Sequence, residues 1–232
     1  MTALQKPYKL FIVFFSLLAI GIFLGIYSLQ KPEKMLPIYS PRDINPELVD
    51  STMQHIGADH KIAPFEFKNQ NDVFITEKNY ENKIYVADFF FTTCPTICPK
   101  MTDNMVWLQN QLKKYPDIKF LSFSVTPDID TPEILKKYAQ KKGIDETRWN
   151  LVTGNKKDIY YLARKSFLAV KTGKPDELYD MVHTENIILV DKNKRIRGFY
   201  DGTNLDNPTE NEQTKNMKQL LEDIIWLHDY QK

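Results

Sequence analysis

The sequence predicts an α/β fold, a central sheet with helices packed on it, preceded by one transmembrane helix. Three observations carry this. Strand-like and helix-like patterns alternate through the middle of the chain. Residues 10–29 hold no charged side chain. Both cysteines, Cys94 and Cys98, fall where an apolar strand pattern gives way to a helical one.

Residues 1–9 carry Lys6 and Lys9, and residues 10–29 read LFIVFFSLLAIGIFLGIYSL. About 20 apolar residues span a bilayer's hydrocarbon core. A cleaved signal peptide has a shorter apolar core and a small-x-small site, and none follows Gly25. A helix buried in a soluble core would show a polar face. The expectation is an uncleaved single-pass anchor, with residues 1–9 cytoplasmic and the rest of the chain across the membrane. Residues 30–57 are polar and contain Pro32, Pro37, Pro41 and Pro46, the composition of a tether. Residues 58–232 form the expected globular domain.

Within that domain, Phe65, Phe67, Val73 and Ile75 alternate around Asn69-Gln70-Asn71-Asp72, which predicts an N-terminal β-hairpin. Residues 83–91 predict the first central strand. Pro99 suits a first helical position, because its missing N–H has no helical partner there. A helix over 99–114 then places Met101, Met105, Leu108 and Leu112 on one face. Residues 119–125 predict the second central strand. Thr131 is the expected cap of a helix that begins Pro132-Glu133 and runs to about Lys142. A short strand at 149–152 and a helix capped by Asn155 and reaching Ser166 follow. Gly173, Lys174 and Pro175 suggest a turn. Residues 186–190 and 196–200 predict paired strands, and a long helix after Pro208 turns Met217, Leu220, Leu221, Ile224 and Ile225 inward. A strand–helix–strand unit with a dithiol at the end of its first strand, closed by a hairpin and a helix, is the thioredoxin-like plan. The expected site is the carboxyl edge of the parallel strands.

The chain of 232 residues has 31 Lys and Arg against 30 Asp and Glu, so charge gives no pull toward nucleic acid. Two cysteines are too few for a disulfide scaffold or a four-ligand zinc ribbon. A disulfide closing so short a loop removes little unfolded-state entropy, so stapling does not account for the pair. A helix N-terminus favours thiolate, the nucleophilic and metal-binding form. With Pro99 first in the helix, Cys98 is the cap and Cys94 lies in the loop before it. Either a redox disulfide or a two-sulfur metal site fits.

Of four histidines, His55 and His60 fall near the tether and His228 is expected at the surface of the last helix. His183 precedes the strand at 186–190, and in a thioredoxin plan that loop faces the dithiol. Two thiolates select Cu(I), and an added imidazole also suits Cu(II). Zinc calls for a fourth ligand and iron–sulfur clusters for more thiolates.

The run Asp88-Phe-Phe-Phe-Thr-Thr-Cys-Pro-Thr-Ile-Cys-Pro99, the segment Ser124-Val-Thr-Pro-Asp-Ile-Asp-Thr-Pro132 and His183-Thr184 resemble the Sco/SenC family. The resemblance runs from about residue 56 onward. It implies a thioredoxin-like copper-binding domain, held outside the cytoplasmic membrane, that serves assembly of the binuclear copper centre of cytochrome c oxidase. Carried over residue by residue, it makes Cys94, Cys98 and His183 the copper ligands. The implied partners are the oxidase's copper-binding subunit and other copper chaperones or thiol reductants.

Two departures stand out. Many relatives have aspartate where this chain has Thr126, and an acidic residue where it has Val182. Asp128, Asp130 and Asp180 are candidates to replace those acidic groups in orienting the imidazole, though each reads first as a solvated loop or turn residue. The alternative reading is a thiol–disulfide oxidoreductase that reduces the oxidase cysteines, Cys94 attacking and Cys98 resolving. A peroxidase is disfavoured, because Arg42, Arg148, Arg164, Arg195 and Arg197 all lie far from the motif in sequence.

Overall fold

The computed structural model describes residues 5–29, 35–43, 52–53, 55, 57, 60–169, 184–207 and 215–231. They fall into two units, Met1–Met35 and Leu36–Lys232.

The first unit is helix α1 (Gln5–Leu29), 25 residues long, or about 37 Å at 1.5 Å per residue. Its side chains over 8–23 are exposed all round. Among the described residues no helix is long and apolar enough to cross a membrane.

The second unit holds a seven-stranded sheet of order β2-β1-β5-β4-β3-β6-β7. The expected hairpin is β1 (Glu66–Asn69) and β2 (Phe74–Thr76), antiparallel, with Phe67 opposite Ile75. Asn69 makes the turn: its Oδ1 accepts from the N–H of Asn71 at 2.9 Å and of Val73 at 3.0 Å. Asp72 takes the left-handed backbone there, φ 56°, a conformation a short polar side chain tolerates.

The parallel centre is β3 (Tyr85–Phe90), β4 (Lys119–Ser124) and β5 (Trp149–Thr153). Every residue of β3 is buried, as a strand covered on both faces requires. Antiparallel β6 (Asn186–Val190) and β7 (Ile196–Asp201) complete the sheet.

Neighbouring β3 residues point to opposite faces, and their contacts identify the layers. Phe90 meets Tyr138 of α3 (Pro132–Lys142), with ring centroids 5.6 Å apart. Phe89 meets Phe123 and Phe167, just past the helical segment made of α4 (Lys156–Tyr161) and the π-turn Leu162–Ser166. On the α3 side lies α2 (Ile97–Gln111), which buries Met101, Met105 and Leu108 as the periodicity predicts.

Helix α3 starts and stops where its signals stand: the Thr131 hydroxyl accepts from the Ile134 N–H, Pro132 leads, and Gly143 takes φ +71° after the last turn. Helix α5 (Met217–Tyr230) begins later than Pro208, because Asn216 and Gln219 form a reciprocal capping box at its start. The turn expected at 173–175 lies outside the described residues.

Two expectations about the tether change. The compact unit starts at Leu36, so the segment expected as tether is partly docked. Buried Arg197 donates to the carbonyl oxygens of Leu36 at 2.6 Å and Pro37 at 2.9 Å, and Tyr39 donates its N–H to Ile196 O at 2.9 Å. His60 is buried too, with Nε2 2.7 Å from Ser166 O. His228 is half-buried rather than at the open surface: it packs on the Tyr115 ring and its Nε2 lies 3.3 Å from Asp117 Oδ2.

Candidate metal and redox site

The dithiol sits at the carboxyl end of β3, where the chain passes into α2. Cys94 closes a tight turn, its N–H on Phe91 O at 3.3 Å. Helix α2 begins at Ile97, two residues before Pro99, and its cap is Thr96 rather than Cys98. All N–H groups of a first turn lack helical partners, so Pro99 is tolerated at the third helical position as readily as at the first. Cys98 is thereby the second helical residue, and the Thr96 side chain makes no capping bond. The Cys98 N–H instead donates to Cys94 Sγ at 3.4 Å. The sulfur of Cys94 thus occupies the place where a helix start favours an anionic ligand.

Both cysteines are unbridged and buried. Burial pushes the Cys98 thiol up to about 12; a backbone hydrogen bond from Phe91 works against this, while Cys94 and Asp88 add to it. Beneath the pair, Asp88 of β3 is pushed up to about 7 by burial, against the lowering effect of the hydrogen bond from Ser122. Ser122 in turn accepts from Trp149 Nε1 at 2.9 Å.

Asp130 corrects an expectation. It is not a solvated loop residue but 0 % exposed. Its Oδ2 accepts from Thr92 N–H at 3.1 Å, Ser124 Oγ at 2.6 Å and Thr126 Oγ1 at 3.1 Å, and its Oδ1 accepts from Thr92 Oγ1. Thr126, where the family resemblance leads to an expectation of aspartate, is therefore part of the shell around this carboxylate. Asp128 is exposed as expected, and Asp180 lies outside the described residues. Met101 is core.

Two soft donors at one edge suit a soft metal ion or a two-electron thiol couple. Among the described residues no group of three or more His, Cys, Asp or Glu is placed to hold a metal. His183, the third expected ligand, lies outside the described residues. A cleft of about 320 Å³ opens nearby, lined by Phe67, Phe74, Pro127 and Pro132 among others, and neither cysteine lines it.

The sheet order and a dithiol at the strand–helix junction define a thioredoxin-like protein with a paired-sulfur site. More particularly, the chain belongs to the SCO1/SenC family, whose model matches residues 53–222. A SCO1/SenC family lipoprotein from Bacillus anthracis is 34% identical and superposes with a TM-score of 0.61, over 73% of this chain and 96% of that one. BsSco, a member of the Sco family of cytochrome c oxidase assembly proteins in which a disulfide switch is identified, is 31% identical with a TM-score of 0.59, over 73% of this chain and 94% of its own. Yeast Sco1, solved with copper bound, shares the fold at 21% identity and a TM-score of 0.54, over 73% of this chain and 89% of that one.

Proposed function

We propose that this protein is a membrane-anchored copper metallochaperone. Cys94 and Cys98, with His183, hold one copper ion, Cu(I) or Cu(II). They deliver it by ligand exchange to the copper-binding subunit of cytochrome c oxidase, for its binuclear copper centre. The observation that carries this reading is the pair of buried thiols at one strand–helix junction, with the Cys98 N–H 3.4 Å from Cys94 Sγ. Copper is cargo here, and ligand exchange requires no bond to be made or broken in a substrate. Family membership and the copper-bound and oxidase-assembly relatives support it. We assign the anchor to α1, whose sequence over 10–29 is free of charge, with the Leu36–Lys232 unit on the extracytoplasmic side of the cytoplasmic membrane.

The test is copper titration of the full chain in detergent, followed by sulfur-to-copper charge transfer. Wild type should bind one copper. Cys94→Ser and Cys98→Ser should lose the band, and His183→Ala should bind at least about tenfold more weakly. Equal binding by wild type and His183→Ala removes His183 from the ligand set.

The same two sulfurs favour a second reading, thiol–disulfide oxidoreductase. The dithiol would pass two electrons and two protons to a disulfide of the oxidase subunit and itself become a disulfide. Rapid turnover of a disulfide substrate without copper supports that activity, and its absence leaves the metallochaperone.

A further inference from the structure

A carboxylate removed from water is costly unless hydrogen-bonded. Asp130 is 0 % exposed, and the hydrogen bonds it accepts among the described residues all come from uncharged donors: Thr92 N–H, Thr92 Oγ1, Ser124 Oγ and Thr126 Oγ1. Ser124 and Thr126 belong to the end of β4 and the loop that Asp130 itself occupies. Thr92 does not. It lies between Phe91 and Cys94, inside the turn closed by the Cys94 N–H on Phe91 O at 3.3 Å. Its N–H and its hydroxyl both end on Asp130. The turn that presents Cys94 is therefore held from outside, by one carboxylate on a neighbouring loop. That loop is itself fixed: the N–H groups of Ile129 and Asp130 both reach Thr126 O at 2.9 Å, and Thr131 caps α3.

We propose that Asp130 is a positioning residue for the dithiol. By gripping Thr92 it sets the approach of Cys94 to Cys98, and so how readily the two sulfurs join in a disulfide or close on a metal ion. This rests on the reading above only in that the two thiols act as a pair, and the test therefore reads the thiols without copper.

The full chain in detergent is equilibrated with mixtures of reduced and oxidised glutathione, and the reduced fraction is counted by alkylation and mass. In each turnover the S–S bond of one oxidised glutathione breaks and the Cys94–Cys98 bond forms. The two thiol protons and two electrons leave on two reduced glutathiones. Wild type is compared with Asp130→Asn, Thr92→Val and a destabilised control, Asp191→Asn, whose buried carboxylate just after β6 pairs with Arg195 at 2.8 Å and Arg197 at 3.1 Å. Asparagine turns one acceptor oxygen into a donor, and valine keeps the shape of Thr92 without its hydroxyl.

Asp130→Asn and Thr92→Val should each shift the equilibrium constant with glutathione by about tenfold, which is about 30 mV for a two-electron couple. Asp191→Asn should lower the melting temperature and leave the constant alone. If Asp130→Asn and Thr92→Val lower the melting temperature but keep the constant within about twofold of wild type, as the control does, Asp130 is only a brace and the proposal falls. Should Asp130→Asn not fold, Thr92→Val decides by the same criterion. A wild type that never forms the internal disulfide overturns the proposal together with the paired-thiol reading. A shifted constant in a protein that binds no copper leaves the proposal standing and removes only the metallochaperone.

Discussion

Asp88 is 2 % exposed on β3, and its carboxyl accepts from Ser122 Oγ on the neighbouring strand. Burial raises it from 3.8 to about 7. Between pH 4 and 7 the folded protein therefore holds a proton at Asp88 that the unfolded chain has released. Stability falls with rising pH wherever the folded state binds more protons, so wild type loses stability through this window and levels off above pH 7. A difference of about three pH units at 1.36 kcal/mol each amounts to about 4 kcal/mol at the plateau. Asp88→Asn keeps an oxygen that accepts from Ser122 and cannot ionise, so it removes the pH-dependent part. The assay is urea unfolding of both proteins from pH 5 to pH 9. Asn should gain on wild type by about 1.4 kcal/mol per pH unit up to pH 7 and by nothing further beyond it. Comparing the two proteins cancels groups that titrate the other way, such as Asp145, which Thr147 holds below the usual carboxylate range. A stability difference that stays flat from pH 5 to pH 8 refutes proton uptake at Asp88.

Arg197→Met should destabilise by about 3 kcal/mol, since it breaks the buried ion pair with Asp191, 3.1 Å away, and strands the Leu36 and Pro37 carbonyls. Residues 36–43 should also become open to limited proteolysis; an unchanged digestion pattern means that Arg197 does not hold them. Gly198→Ala would put a Cβ 2.6 Å from the Tyr200 hydroxyl oxygen. That hydroxyl is buried and bonded to Asp223 at 2.8 Å, so overpacking should cost about 1–3 kcal/mol. At 2–4 °C per kcal/mol for a domain of this size, calorimetry should register a drop of several degrees, and an unchanged melting temperature means that the ring has room to shift.

What was legible in the sequence was local. Thr131, Pro132 and Gly143 bracket α3 because a cap hydroxyl, a residue lacking an N–H and a left-handed stop act within a few residues of themselves. Met101, Met105 and Leu108 face the core because one face of a helix recurs every 3.6 residues. The Asn69 turn and the dithiol's place after β3 follow in the same way. The start of α5 is also local, since Asn216 and Gln219 cap it, but Pro208 is a competing start signal eight residues earlier in the sequence. The rest was not local. His60 meets Ser166 across 106 residues, and Arg197 holds Leu36 across 161. No periodicity encodes such contacts.

Asp128 and Asp130 make the same point at the site itself. Both sit in Thr126-Pro-Asp-Ile-Asp-Thr131, flanked by the same turn formers, and neither is distinguished by composition. One is exposed, and the other is closed off from water by Thr92, Ser124 and Thr126. The difference arises because the turn after β3 and the loop after β4 meet at the carboxyl edge of two adjacent parallel strands, and only Asp130 stands where their donors converge. A carboxylate there needs that convergence to be tolerable at all. The convergence in turn depends on Thr92, two residues from Cys94. A buried carboxylate with no distinguishing local pattern is therefore tied, through Thr92, to the sulfur at the centre of the site.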